Sequence, residues 1–113
     1  MQRIEMHLND ESFEMVKSGK KTMEMRIYDE KRQKIDMGDE IVFINKETKI
    51  LVKITRLFVA SSFEILFNKI GGIKAGWKKN DNVAKMAKDM RKIYSTDEEN
   101  KWGVVGIEFE VLV

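Results

Sequence analysis

A change of hydrophobic period along the chain limits its folds more than any single motif does. The last segment, WGVVGIEFEVLV, sets Val105, Ile107, Phe109 and Val111 against Glu108 and Glu110, a period of two that suits a strand with one buried face. KILVKITRLFVA, residues 49–60, alternates in the same way, with a bend expected near Arg56. Ile4, Met6 and Leu8 start the chain as a strand, and Ile41 to Asn45 follows the Gly38-Asp39 turn as another. Elsewhere the period is helical. Phe13, Val16 and Lys17 fall on a short helix capped by Asn9 or Asp10 and stopped at Gly19; Ser61 or Ser62 opens another through Phe63, Leu66 and Phe67. Asp81 or Asn82 caps a third stretch in which Val83, Met86, Ala87, Met90, Ile93 and Tyr94 recur at helical spacing. DEKRQKIDMGDE, the glycine-bearing stretch Gly71 to Gly76, and STDEENK read as loops. With about five strands and helices inserted between the early and late ones, the pattern predicts an α+β fold, a small curled sheet or barrel with helices packed at its ends.

The chain has 113 residues and 42% hydrophobic composition, enough for one compact domain over 1–113 with a modest core. It contains no cysteine, which excludes a disulfide framework, a thiolate nucleophile and a cysteine metal site, and makes the cytoplasm the simplest compartment. MQRIEMHLND has no long apolar core or small-residue cleavage site, and no apolar run approaches a membrane span, so no membrane partner is expected. His7 has no partner at ligand spacing, so no metal site is expected, and no motif asks for a cofactor. The sequence sets no oligomeric state.

GKKTMEMR, residues 19–26, packs three bases, a threonine and an acid into a strand-like alternation. Thr22, Glu24 and Arg26 share one face and Met23, Met25 and Ile27 the other, so one side is ionic and one apolar. An exposed Glu24 and Arg26 pair would be worth at most about 1 kcal/mol; in a cleft the same groups meet phosphate, ribose or a base edge. A second candidate surface is GGIKAGWKK, in which Trp77 either stacks on a base or caps the core while Lys74, Lys78 and Lys79 meet phosphates. From Lys69 to Lys92 eight basic residues face two acids, Asp81 and Asp89, which suits a polyanion, a docking face for another protein, or a solvated helix face. Tyr94 lies on the apolar stripe, its hydroxyl reaching toward a cleft.

These pieces resemble the ASCH family of PUA-like barrels. Its G-x-K-x-x-E-x-R pattern is met by Gly19, Lys21, Glu24 and Arg26, its G-D strand by Met37-Gly38-Asp39, and its terminal strand by Tyr94-Ser95 with DEENKWGVVGIEF. The resemblance spans nearly the whole chain. It implies a small PUA-like β-barrel of five or six strands with two to three helices, a cleft between barrel and helices into which Lys21, Glu24 and Arg26 project, and RNA or a nucleoside-like ligand as partner. Some bacterial ASCH proteins are similar in the same loop and act as amidohydrolases on acetylated cytidine. Their lysine carries over to Lys21, but their nucleophile's place holds Glu24, and Ile70 to Gly76 supplies no partner glutamate. A hydrolase would need Thr22 as a rearranged nucleophile with Lys21 as its base.

Overall fold

The computed structural model describes residues 1–112. The chain runs β1 (Arg3–His7), α1 (Asp10–Lys17), β2 (Met23–Ile27), a 3-10 turn over Arg32–Lys34, β3 (Glu40–Asn45), β4 (Thr48–Ala60), α2 (Phe63–Ile70), a second 3-10 turn over Ile73–Ala75, α3 (Val83–Arg91), α4 (Thr96–Trp102) and β5 (Val104–Val111). The strands form one sheet in the order β1-β3-β4-β5-β2. β1 pairs parallel to β3 and the other neighbours are antiparallel. β4 is long enough to curl because its pairing with β5 shifts register between Ile54 and Arg56, the bend expected from the alternation. The result is an α+β, five-stranded half-barrel with four helices, of the PUA-like kind.

Two apolar cores lie on opposite faces of the sheet, and the alternation assigns residues to them. Val105, Ile107 and Phe109 of β5 join Met6, Val16, Phe43 and Ile54 in one core, over which α1 packs. Met23, Met25 and Ile27 of β2 join Phe63, Leu66 and Phe67 of α2 and Met86 and Met90 of α3 in the other. Gly106 faces the second core: a Cβ there would come within 3.1 Å of Met23 Sδ and 3.4 Å of Ile70 Cδ1. Its bare backbone lets α2 approach the sheet.

The caps resolve to Asn9, Ser62 and Asn82, each accepting from a backbone N–H three residues on. STDEENK is corrected from loop to helix, which makes four helices where two or three were expected. Ser95 and Glu98 form a capping box, but a seven-residue helix with so many charges shows little apolar periodicity. Its Glu99 is buried and accepts the Phe63 N–H at 2.7 Å. α3 stops at Arg91, so Ile93 and Tyr94 lie beyond the helix, and Ile93 is exposed. Among the described residues, no helix is long and apolar enough to cross a membrane.

Candidate functional site

β1 and β2 are the free edges of the sheet, and no strand ladder closes the seam between them. Arg26 bridges it, donating from Nη2 to the His7 carbonyl at 3.0 Å. Beside that bridge opens a cavity of about 510 Å³, walled by the start of α1, the ionic face of β2, the Ala75–Lys78 loop and α3.

β2 is buried on both faces. Glu24 and Arg26 lie opposite Ile107 and Val105 in the register with β5, and so turn to the same side as the α1 core. Lys21 has the wrong parity for that face, yet it precedes the strand. Its N–H donates to the Met15 carbonyl at 3.0 Å, and this turn after Gly19 brings its ammonium to 2.9 Å from Glu24 Oε1. Arg26 holds Oε2 with Nε at 2.9 Å and Nη2 at 2.8 Å. The side chains are only 10%, 9% and 15% exposed for Lys21, Glu24 and Arg26. Burial pushes the Glu24 carboxyl up, but the charges and hydrogen bonds of Lys21 and Arg26 outweigh it and hold the group below the usual range. Burial likewise works against the charge of the Arg26 guanidinium, and the pairing with Glu24 outweighs it.

Trp77 and Tyr94 line the same cavity. Trp77 packs edge-on against Phe67, with ring centroids 5.0 Å apart, and its Nε1 donates to Asp89 Oδ2 at 3.3 Å. It therefore packs on the core and walls the cavity at once. Tyr94 stacks on Phe63 at 5.9 Å. Burial pushes its phenol up, opposed by Arg26 and reinforced by Glu24, so the hydroxyl is a neutral donor and acceptor at physiological pH.

The expected residues divide. Lys21, Glu24, Arg26, Trp77, Lys78 and Tyr94 all line the cavity. Thr22 does not: its backbone is fastened to the Lys74 carbonyl and the Phe109 N–H. Lys74 pairs with Glu108 at 2.7 Å outside the cavity, and Lys79 is exposed and outside the lining. The sequence reading missed Ser12, whose hydroxyl accepts from Lys21 Nζ at 3.4 Å, and Lys85 and Asp89, which also line the wall. Lys85 and Asp89 are four apart on α3, and Asp81 meets Lys85 from just ahead of the Asn82 cap; that spacing was hidden inside what looked like a basic run. The Asp89 carboxyl is held low by the bonds from Trp77 and Lys85.

The lining carries Lys21, Arg26, Lys78 and Lys85 against Glu11, Glu24, Asp81 and Asp89. The charges balance. Among the described residues, no group of three or more His, Cys, Asp or Glu is placed to hold a metal ion.

The ASCH domain family matches residues 6–113. A solved hypothetical protein, PH0355, is 38% identical, with 98% of this chain and 100% of that one covered and a TM-score of 0.86. The Pyrococcus furiosus protein PF0455 is 33% identical over 98% of both chains, with a TM-score of 0.77. An ASCH domain from Lactobacillus crispatus shares the fold at 14% identity, covering 97% of this chain and 79% of its own, with a TM-score of 0.66. No curated protein matches the chain. The motif around Glu24, the half-barrel and these likenesses agree, and the chain belongs to the ASCH domain family.

Proposed function

We propose that the chain is an RNA-binding type of domain that takes one nucleoside-sized unit into the cavity beside Lys21, Glu24 and Arg26, whether as a free nucleoside or as a nucleotide of a single strand. The cavity itself carries this reading: its volume of about 510 Å³ falls in the usual range for small-molecule sites, about 300–1,000 Å³. Trp77 and Tyr94 offer aromatic walls for a base, and Lys21 and Arg26, held by Glu24, offer fixed donors for its edge. The balanced charge of the lining supports one flat polar unit rather than a run of phosphates, each of which needs its own cation. The strand outside the cavity would meet exposed Lys79 and Lys88.

Titrating isotope-labelled protein with nucleosides and with a short single-stranded RNA tests this. The Trp77 indole and Arg26 side-chain signals should move with both. RNA that shifts only surface lysines, leaving those two signals still, would remove the cavity from the interface.

The amidohydrolase alternative needs a hydroxyl beside Lys21 that the lysine can deprotonate; Thr22 stands outside the lining, and the hydroxyl that does lie there, that of Ser12, accepts from a Lys21 ammonium tied to Glu24 instead of giving a proton to a neutral amine. Purified protein is therefore expected not to hydrolyse acetylated cytidine. Turnover that disappears in Thr22→Val would reinstate the enzyme.

A further inference from the structure

The deep end of the cavity has an unequal supply of hydrogen-bonding groups. A carboxylate accepts about four hydrogen bonds, and Glu24 already receives Lys21 Nζ at 2.9 Å and the Met25 N–H at 3.3 Å on Oε1, with Arg26 Nε at 2.9 Å and Nη2 at 2.8 Å on Oε2. Its capacity is spent. The cations retain theirs. Of the three ammonium donors of Lys21 one goes to Glu24 and one to Ser12. Of the five guanidinium donors of Arg26, Nε and Nη2 serve Glu24 and the His7 carbonyl, whereas both hydrogens of Nη1 lack a partner among the described residues. Nη1 is not a sealed atom, since the one buried side-chain polar atom left without a partner among the described residues is Arg32 Nε. It opens to solvent in a residue that lines the cavity. The triad as a whole keeps one positive charge.

The acceptors with spare capacity lie elsewhere. Asp81 takes the Lys78 N–H at 2.8 Å and stands 3.6 Å from Lys85, and Glu11 is exposed at the rim. Charge of both signs thus lines the outer part, where Lys78 and Lys85 are exposed as well, whereas at the triad only donors are left over.

We infer that the occupant enters with two adjacent hydrogen-bond acceptors, unbroken by an N–H, directed at Lys21 and Arg26, and that Glu24 is a positioning residue that presents the two cations without touching the ligand. This rests on the nucleoside reading for the identity of the ligand but not for the chemistry of the buried end. Among bases, cytosine (O2 and N3) and guanine (O6 and N7) present such a pair, whereas in uracil an N–H separates the carbonyls and in adenine an amino group flanks N1 and N7.

Calorimetric titration with the four ribonucleosides should show cytidine and guanosine binding about tenfold or more tighter than adenosine and uridine, the size expected of a charge-assisted hydrogen bond gained or forfeited. Arg26→Lys, which keeps the pairing charge but removes Nη1, should flatten that preference. Glu24→Gln, which loosens the hold on both cations, should lower cytidine and guanosine affinity and narrow the preference without reversing it. If Glu24→Gln does not fold, Arg26→Lys alone decides. Equal binding of all four nucleosides, or a preference for adenosine or uridine, overturns the inference and leaves the nucleoside reading standing. Two flat probes of the same shape separate the reverse case. Benzoate that binds while benzamidine and every nucleoside do not would uphold the donor-only end and remove the nucleoside reading; benzamidine binding in preference to benzoate, or no binding by any probe, overturns the inference.

Discussion

Glu24 shows how one residue serves both stability and the site. Its carboxylate is the counter-charge of two nearly buried cations, so Glu24→Ala leaves both without a partner in a place water barely reaches. The variant should lose about 3–5 kcal/mol, the usual cost of breaking a buried pair from one side, measured by urea unfolding. A loss near zero would mean that Lys21 and Arg26 reach solvent on their own. The same carboxylate makes folding sensitive to acid. Its folded value lies below the usual range, with burial opposing and the two cations overriding. The Asp39 carboxyl is also held low, by N–H groups of Gln2 and Asp36. A carboxyl depressed on folding contributes its stability in full above the ordinary carboxylate range and loses it as the pH falls through the folded value. The urea midpoint should thus hold steady from neutral pH down to that range and then drop. Glu24→Gln should shrink the drop, and a midpoint unchanged at strongly acid pH would contradict the assignment.

At the scale of elements, the short α4 matters through what it supports. Glu99 is buried, 3.7 Å from Arg91 and bonded to the first N–H of α2, so it fastens the end of α3, the start of α2 and the strand that follows it. Removing a buried acceptor strands a donor, and Glu99→Ala should cost about 1–3 kcal/mol. Hydrogen exchange should rise first at the Phe63 amide. Loss of protection spread evenly over the sheet would instead mean that α4 is part of the global unfolding unit. β2 is the element on which the site depends: Met23, Met25 and Ile27 press on α2 and α3 while Glu24 and Arg26 face the opposite core. A slip of one residue would exchange these sets and bury the methionines where the cations stand, so its register is strongly specified.

At the scale of the whole molecule, the cavity exists because the half-barrel does not close by strand pairing. The gap between β1 and β2 is spanned by one guanidinium, and the loop and helix that follow α2 cover the opening. Charge is distributed to match. Lysines that look like a continuous basic run are partly neutralised: Lys74 by Glu108, Lys85 by Asp81 and Asp89, Lys92 by Asp89. RNA affinity should therefore depend only modestly on salt. Replacing Lys78 and Lys79 by alanine should weaken it and reduce the slope of log affinity against log salt by about 0.7 for each phosphate left without its lysine. An unchanged slope in a filter-binding titration would remove the loop from the interface.

The strands, their faces, three of the four helices and the family were legible in the sequence, because period-two and helical spacing are written by local chain geometry. So was the association of Lys21, Glu24 and Arg26, although only through the family pattern, since Lys21 has the wrong parity for a continuous strand. α4 was not legible: its stability comes from a capping box and from Glu99 reaching a residue 36 positions away. The roles of the lysines were not legible either. Whether a lysine meets a phosphate or a carboxylate depends on which residues the fold carries to within about 4 Å of it, and Glu108 reaches Lys74 across a separation of 34 residues. Tertiary structure alone decided that the ionic face of β2 is buried, that its carboxylate already receives four hydrogen bonds, and that the two cations it holds line a cavity, because each of these depends on long-range packing that no local pattern records.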